Sequence, residues 1–178
     1  MTSVTSLVTV AAVVSRVAND YYPTPHSIID VLLDQIDWPK GALVWEPCKG
    51  DGRVADALVN HGYNVVTGDI ADGDDFFDNT DAKAVRLLTN PPFKPIRQFI
   101  DHAFKIGVYQ MALVCPERLW ACKKGSEQLQ RHRPSQFINM DWREDYLGKG
   151  GAPDRALAVS IWNKPNSLST KFDVWSKR

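Results

Sequence analysis

The apolar run Ala84-Val85-Arg86-Leu87-Leu88-Thr89 ends abruptly on Asn90-Pro91-Pro92-Phe93. Two successive prolines cannot donate to a sheet ladder, so a buried strand has to leave its sheet at that point. Asn90 is thereby left at the carboxyl end of a strand, where open α/β sheets bind ligands. On its own the stretch reads first as a strand-end turn, because Asn-Pro and Pro-Pro commonly mark turns. A second reading is chemical. An amide and free carbonyls can accept the hydrogens of a planar amine, while Phe93 stacks on the face of the group that carries it.

The flanking chain supplies the frame. Ala42 to Trp45 is a short apolar run that ends on Glu46-Pro47-Cys48-Lys49-Gly50-Asp51-Gly52, and Arg53 to Val59 continues at helical spacing. A strand, a Gly-x-Gly turn and a helix form the nucleoside- or phosphate-cradling start of a doubly wound sheet. The next strand, Tyr63 to Gly68, stops on Asp69, where such folds place an acceptor for a ribose diol. The acidic loop Asp72 to Asp81 follows. It contains Asp74-Asp75-Phe76-Phe77, an acceptor beside aromatic rings that suits a purine; Asp72, Asp78 and Asp81 read as solvated turn residues.

Further strands are expected at Val108 to Val114, Gln136 to Asn139 and Ala156 to Trp162, with a helix through Ile96, Phe99, Ile100, Ala103 and Phe104. Before the first strand, Thr24 suits an N-cap and Pro25 the first position of a helix running through Ile28 to Ile36. Tyr21, Tyr22 and Pro23 make a rigid connector whose aromatics could wall a pocket. Residues 1–19 read as a short amphipathic helix or arm. They make a poor export signal, because Arg16 follows the apolar stretch instead of preceding it. Glu117 to Pro134 reads as a basic helical segment, and Trp142 to Pro153 as a glycine-rich loop. Strands alternating with helices give an α/β fold with a mainly parallel sheet.

At 178 residues the chain fits one domain: an arm over 1–19, a ligand-binding core over 20–115, and a basic helix, loop and last strands over 116–178. The three cysteines, Cys48, Cys115 and Cys122, match no zinc or disulfide spacing and read as reduced thiols of a cytoplasmic protein. No metal cluster is expected, and no membrane span. The zero net charge conceals a split: residues 1–89 carry 6 Lys and Arg against 13 Asp and Glu, a net of −7, and residues 90–178 carry 15 against 8, a net of +7. Either the basic half faces a polyanion or the halves neutralise one another.

In order, Tyr22-Pro23-Thr24-Pro25, Glu46-Pro47 with Gly50-x-Gly52, Asp69, Asp75-Phe76-Phe77, Asn90-Pro91-Pro92-Phe93 and the closing Asp154 to Trp162 resemble the class I S-adenosylmethionine-dependent methyltransferases. They look most like the small phage-type N6-adenine DNA methyltransferases. The resemblance implies a Rossmann-like, mainly parallel seven-stranded sheet with helices on both faces. It also implies S-adenosylmethionine as cofactor and adenine in DNA as substrate. Thr24 and Gly50 to Gly52 would then lie along the cofactor's methionine part, Asp69 at its ribose, and Asp75 with Phe76 at its adenine, with Tyr22, Pro25, Glu46 and Pro47 also binding the cofactor. Asn90 and the Pro91 carbonyl would accept hydrogens from the target amine, with Pro92 shaping the turn and Phe93 stacking on the extruded base. Arg118, Lys123, Lys124, Arg131 and Arg133 would meet phosphates.

Two positions depart from that pattern. Lys49 stands in the glycine loop where the family has a small residue, and an inward-pointing amine there would repel a cationic cofactor. No separate target-recognition domain follows the core, which leaves specificity to the 117–134 and 142–153 segments, to a partner, or to a second copy of the chain. Two rival methyl acceptors share the planar-amine chemistry: adenine in RNA and a glutamine amide in protein. A rival of another class is a non-catalytic cofactor-binding or regulatory subunit. A nicotinamide-dependent dehydrogenase fits poorly, because Ala55 stands where the third glycine of that fingerprint belongs.

Overall fold

The computed structural model describes residues 23–143 and 156–177, so the N-terminal arm, Tyr22 and most of the glycine-rich loop lie outside the described residues. Thirteen short elements alternate, among them four helices: α1 (His26–Gln35), α2 (Arg53–Asn60), α3 (Ile96–Lys105) and α4 (Lys123–Arg131). The strands are β1 (Leu43–Glu46), β2 (Asn64–Thr67), β3 (Arg86–Thr89), β4 (Gln110–Pro116), β5 (Gln136–Met140), β6 (Leu157–Trp162) and β7 (Lys171–Trp175). They form a single sheet in the order β2-β1-β3-β4-β6-β5-β7. β6 runs antiparallel to both its neighbours, and the other pairings are parallel, so β6 alone is reversed. The fold is thus the mixed α/β, mainly parallel seven-stranded arrangement expected.

The strand order turns back on itself between β1 and β3. The chain steps outward from β1 through α2 to β2, then returns to the other side of β1 and steps through α3 to β4. Right-handed crossovers taken in opposite directions place their helices on opposite faces, and the two cores record this. Val44, Leu88, Ala112 and Val114 pack under α1 and α2 with Ile28, Leu32, Val54 and Leu58. Their strand neighbours Trp45, Leu87, Met111 and Leu113 pack under α3 with Phe99, Ile100 and Ala103. Burying each of Leu87 and Leu88 completely stabilises the fold by about 1.5–3 kcal/mol. Phe93 packs against both clusters.

Three details differ from the sequence reading. Pro25, not Thr24, caps α1: its φ and ψ are extended, its carbonyl accepts from Ile28 and Ile29, and no side-chain cap is made. Helix over 117–134 shrinks to Lys123–Arg131, since Glu117 to Cys122 turn back on themselves and the Cys122 thiol caps the helix by accepting from the Gly125 amide. A seventh strand is implied by the resemblance, but its place, β7 at Lys171–Trp175, is not read from the sequence. Its five residues lie at a sheet edge and are mostly exposed, Phe172 and Val174 included, so the short alternation marks no buried face. Among the described residues no helix is long and apolar enough to cross a membrane.

Candidate active site

The crevice between the carboxyl ends of β1 and β3 is the point where the strand order reverses, and α/β sheets bind ligands there. A cavity of about 340 Å³ opens at this point, lined by Asp69, Asp75, Phe76 and Phe77 on one side and Asn90, Pro91, Pro92 and Phe93 on the other. Thr24, Glu46, Lys49, Gly50, Asp51 and Arg53 surround a smaller recess that shares Cys48 and Asn90 with it. Motifs separated by up to 66 positions, from Thr24 to Asn90, thus converge on one crevice.

The glycine loop is held against the tip of β2 by three hydrogen bonds. The Gly68 amide donates to the Glu46 carbonyl at 2.9 Å, the Lys49 amide to the Gly68 carbonyl at 3.0 Å, and the Gly50 amide to Asp69 Oδ2 at 2.8 Å. Gly52 then opens α2 with φ at 86°, a left-handed conformation that a side chain would strain. Arg53, the first residue of α2, donates through Nε to Asp51 Oδ2 at 2.8 Å and through Nη1 to the Thr24 carbonyl at 3.2 Å. That contact fastens the chain before α1 to the loop. Lys49 lines the recess, but its Nζ is engaged by Asp72, donating to Oδ2 at 2.7 Å.

The acidic groups have distinct states. Asp69 accepts from the Gly50 amide through one oxygen and from the Ala71 amide at 2.9 Å through the other. Each oxygen keeps a lone pair for a hydroxyl in the cavity. Asp75 accepts from the Phe77 amide at 2.9 Å, which closes a short helical turn and orients the two rings. Phe76 stacks on Phe99 with centroids 3.9 Å apart and tilts on Trp45, so it forms the cavity floor. Phe77 remains 39% exposed at the rim.

Glu46 is only 1% exposed, and its Oε2 has no hydrogen-bond partner among the described residues. Burial pushes its carboxyl up to about 9, the nearby Asp51, Asp69 and Asp56 push the same way, and the Ala55 amide opposes them by donating to it. Glu46 is therefore neutral at pH 7, one acceptor short, and ready to ionise beside a cation. Burial also pushes the Cys48 thiol up to about 12, which keeps it protonated.

The predicted phosphate contacts are brought together only in part. Arg118, Lys124 and Arg131 line an open groove beyond Phe93, whereas Lys123 and Arg133 do not line it. Sequence reasoning named Phe77 within its aromatic motif, but missed Ile70, Cys48, Pro95 and Phe99 in the cavity and Lys94 and Arg97 in the groove. The Phe76-Phe77 doublet carried a signal: in so tight a turn the two rings must diverge, one inward and one to the rim.

No family model matches the sequence, and no curated protein does either. Solved structures do resemble the fold. A methyltransferase subunit of a type I restriction-modification system from Streptococcus thermophilus superposes with a TM-score of 0.62 at 13% identity, over 85% of this chain and 46% of that one. A putative class I S-adenosylmethionine-dependent methyltransferase from Listeria monocytogenes gives 0.61 at 13% identity, over 88% and 66%. A putative RNA methyltransferase from Pyrococcus horikoshii gives 0.51 at 16% identity, over 82% and 87%. The chain therefore spans between about half and two thirds of the first two proteins. What it shares with all three is the class I methyltransferase fold.

Proposed function

We propose that the chain is an S-adenosylmethionine-dependent methyltransferase acting on the N6 amine of adenine in DNA. The observation that carries this reading is the shared cavity, with carboxylates and aromatic rings on one wall and Asn90-Pro91-Pro92-Phe93 on the other. Its volume lies within the range of small-molecule sites. The donor set fits the cofactor: Asp69 for the ribose hydroxyls, Asp75 with Phe76 and the rim ring Phe77 for the adenine, and the incompletely bonded Glu46 beside Thr24, Pro25, Pro47, Gly50 and Gly52 for the cationic methionine end. When bound, S-adenosylmethionine supplies an electrophilic methyl group on a sulfonium sulfur.

An aromatic exocyclic amine is a weak nucleophile because its lone pair is delocalised into the ring. Asn90 and the Pro91 carbonyl accept the amine's two hydrogens, favour a pyramidal nitrogen and free that lone pair. Pro92 fixes the turn that presents both acceptors, and Phe93 stacks on the base, which has to be extruded from a duplex to reach the cavity. The proton that leaves the nitrogen passes from these acceptors to water. Positioning and electrostatics carry the rate enhancement. Residues 20–115 form the catalytic core of this reading, and the later segments meet nucleic acid, alone or with a specificity partner or second copy.

The decisive experiment offers labelled S-adenosylmethionine with unmethylated DNA, bulk RNA and a protein extract, with Asn90→Ala in parallel. The expected product is N6-methyladenine in DNA, formed about 10²–10³-fold more slowly by the variant, the usual cost of losing one preorganised polar contact to the reacting group. Label in RNA or protein alone would move the substrate to that class. Cofactor binding without label anywhere would leave a binding subunit in place of an enzyme.

A further inference from the structure

On the far side of Phe93 lies an open groove of about 670 Å³, set between the start of α3 and the chain that leaves β4 for α4. It opens at the same edge of the sheet as the cavity, and Phe93 is the residue common to the two linings. Lys94, Arg97, Arg118, Lys124 and Arg131 reach it, opposed by Asp101 and Glu127.

These charges are not equivalent. Arg97 is part of the framework: its guanidinium donates to the Leu119 carbonyl, to Cys122 Sγ at 3.2 Å and to Gln128 Oε1 at 3.3 Å. Arg131 pairs with Asp101 at 3.4 Å, and Asp101 also accepts from Gln128 Nε2 at 3.0 Å and faces His132 Nε2 at 3.2 Å. Buried Gln128 additionally donates to the Arg97 carbonyl at 2.8 Å, so the groove floor is a closed network tying α4 to α3. Lys94, Arg118 and Lys124 are exposed, and their side chains make no ion pair or hydrogen bond with any described residue. Against these three cations stands the Glu127 carboxylate.

We infer that this groove carries the phosphodiester strand leading away from the nucleotide whose base enters the cavity, with Lys94, Arg118 and Lys124 each meeting a phosphate. The inference rests on the nucleic-acid reading of the cavity. A ring that stacks on an extruded base leaves the adjoining backbone beside it, and here the adjoining space holds three unengaged cations on a rigid floor. Contacts of this kind supply affinity and register without sequence preference.

The test is fluorescence anisotropy of the full chain with a labelled single-stranded DNA 12-mer containing one adenine, the same sequence as RNA, and the same sequence as duplex DNA, over a salt series. The variant combines Lys94→Ala, Arg118→Ala and Lys124→Ala, with its melting temperature measured alongside to confirm folding. Each phosphate contact on a single strand contributes about −0.7 to the slope of log K against log salt, so the variant's slope should be shallower by about 2. Raising salt fourfold should then cost the wild type about 16-fold more affinity than the variant. A folded variant that keeps the wild-type slope would overturn the groove assignment and leave the cavity reading intact. A wild-type chain that binds none of the oligonucleotides would overturn the nucleic-acid reading, and the groove with it.

Discussion

On the wall built from the ends of β1 and β2, nearly every charge is engaged by a neighbouring group at the site. Asp51 holds Arg53, Lys49 holds Asp72, Lys83 holds Asp74, and Asp69 holds two backbone amides. Across Phe93 the pattern inverts. The engaged groups tie α3 to α4, Arg97 to Gln128 and Arg131 to Asp101, while Lys94, Arg118 and Lys124 stay in solvent. The first wall is preorganised for a small ligand, since its polar groups are already oriented. The second is suited to a partner that brings its own charge. Glu46 stands out on the first wall as the buried acid with an oxygen left over.

Proton linkage at Glu46 gives the largest effect by which this contrast can be broken. Its folded value of about 9 lies above the ordinary 4.5, so at pH 7 the folded chain holds a proton that the unfolded chain has released. The stability tied to that proton is complete below pH 4.5 and is lost as pH rises toward 9. Glu46→Gln cannot ionise, so its melting temperature should gain on the wild type steadily from pH 5 to pH 8. Binding has the opposite sign: S-adenosylmethionine affinity, read by calorimetry, should rise by up to about tenfold per pH unit between pH 6 and 7.5 and be flat in the variant. Equal pH profiles for the two proteins would show that Glu46 is as ordinary as its neighbours.

A smaller effect concerns the groove wall. A Cβ on Gly125 would sit 2.5 Å from the Leu119 carbonyl oxygen and 2.9 Å from the Trp120 backbone, so the first turn of α4 rests directly on the preceding turn. Gly125→Ala should cost about 1–3 kcal/mol in denaturant unfolding and weaken oligonucleotide binding while leaving S-adenosylmethionine affinity alone. Loss of both affinities together would mean that the walls are not independent. The smallest effect sharpens the contrast further. Lys123→Ala with Arg133→Ala, outside the groove lining, should change oligonucleotide affinity less than twofold. A change as large as that of the groove cations would return the contact surface to the whole basic segment.

The same contrast explains how much was legible in the sequence. The strands behind the cavity announce themselves because each is buried on both faces, as Leu87 and Leu88 are, and because Asn90-Pro91-Pro92 can only end a strand. Gly50 and Gly52 both take positive φ, so their spacing encodes backbone geometry directly. A charged residue encodes no such thing. Whether Arg131 is free depends on Asp101, thirty positions away, and Arg118 and Arg133 look alike until the turn after β4 places one in the groove. β7 escaped for a related reason: an edge strand keeps its polar residues, and only its pairing with β5 defines it.

Phe93 touches both cores and walls both cavities, which bears on how substitutions there are to be interpreted. Removing the ring would loosen two cores and merge two compartments at once, so a dead Phe93→Ala enzyme would be ambiguous between lost stacking and lost architecture. Phe93→Tyr and Phe93→Leu make an interpretable pair, because the first keeps an aromatic face and the second keeps bulk without one. The distance between them in rate, at matched melting temperature, would test the proposed stacking of the ring on a base.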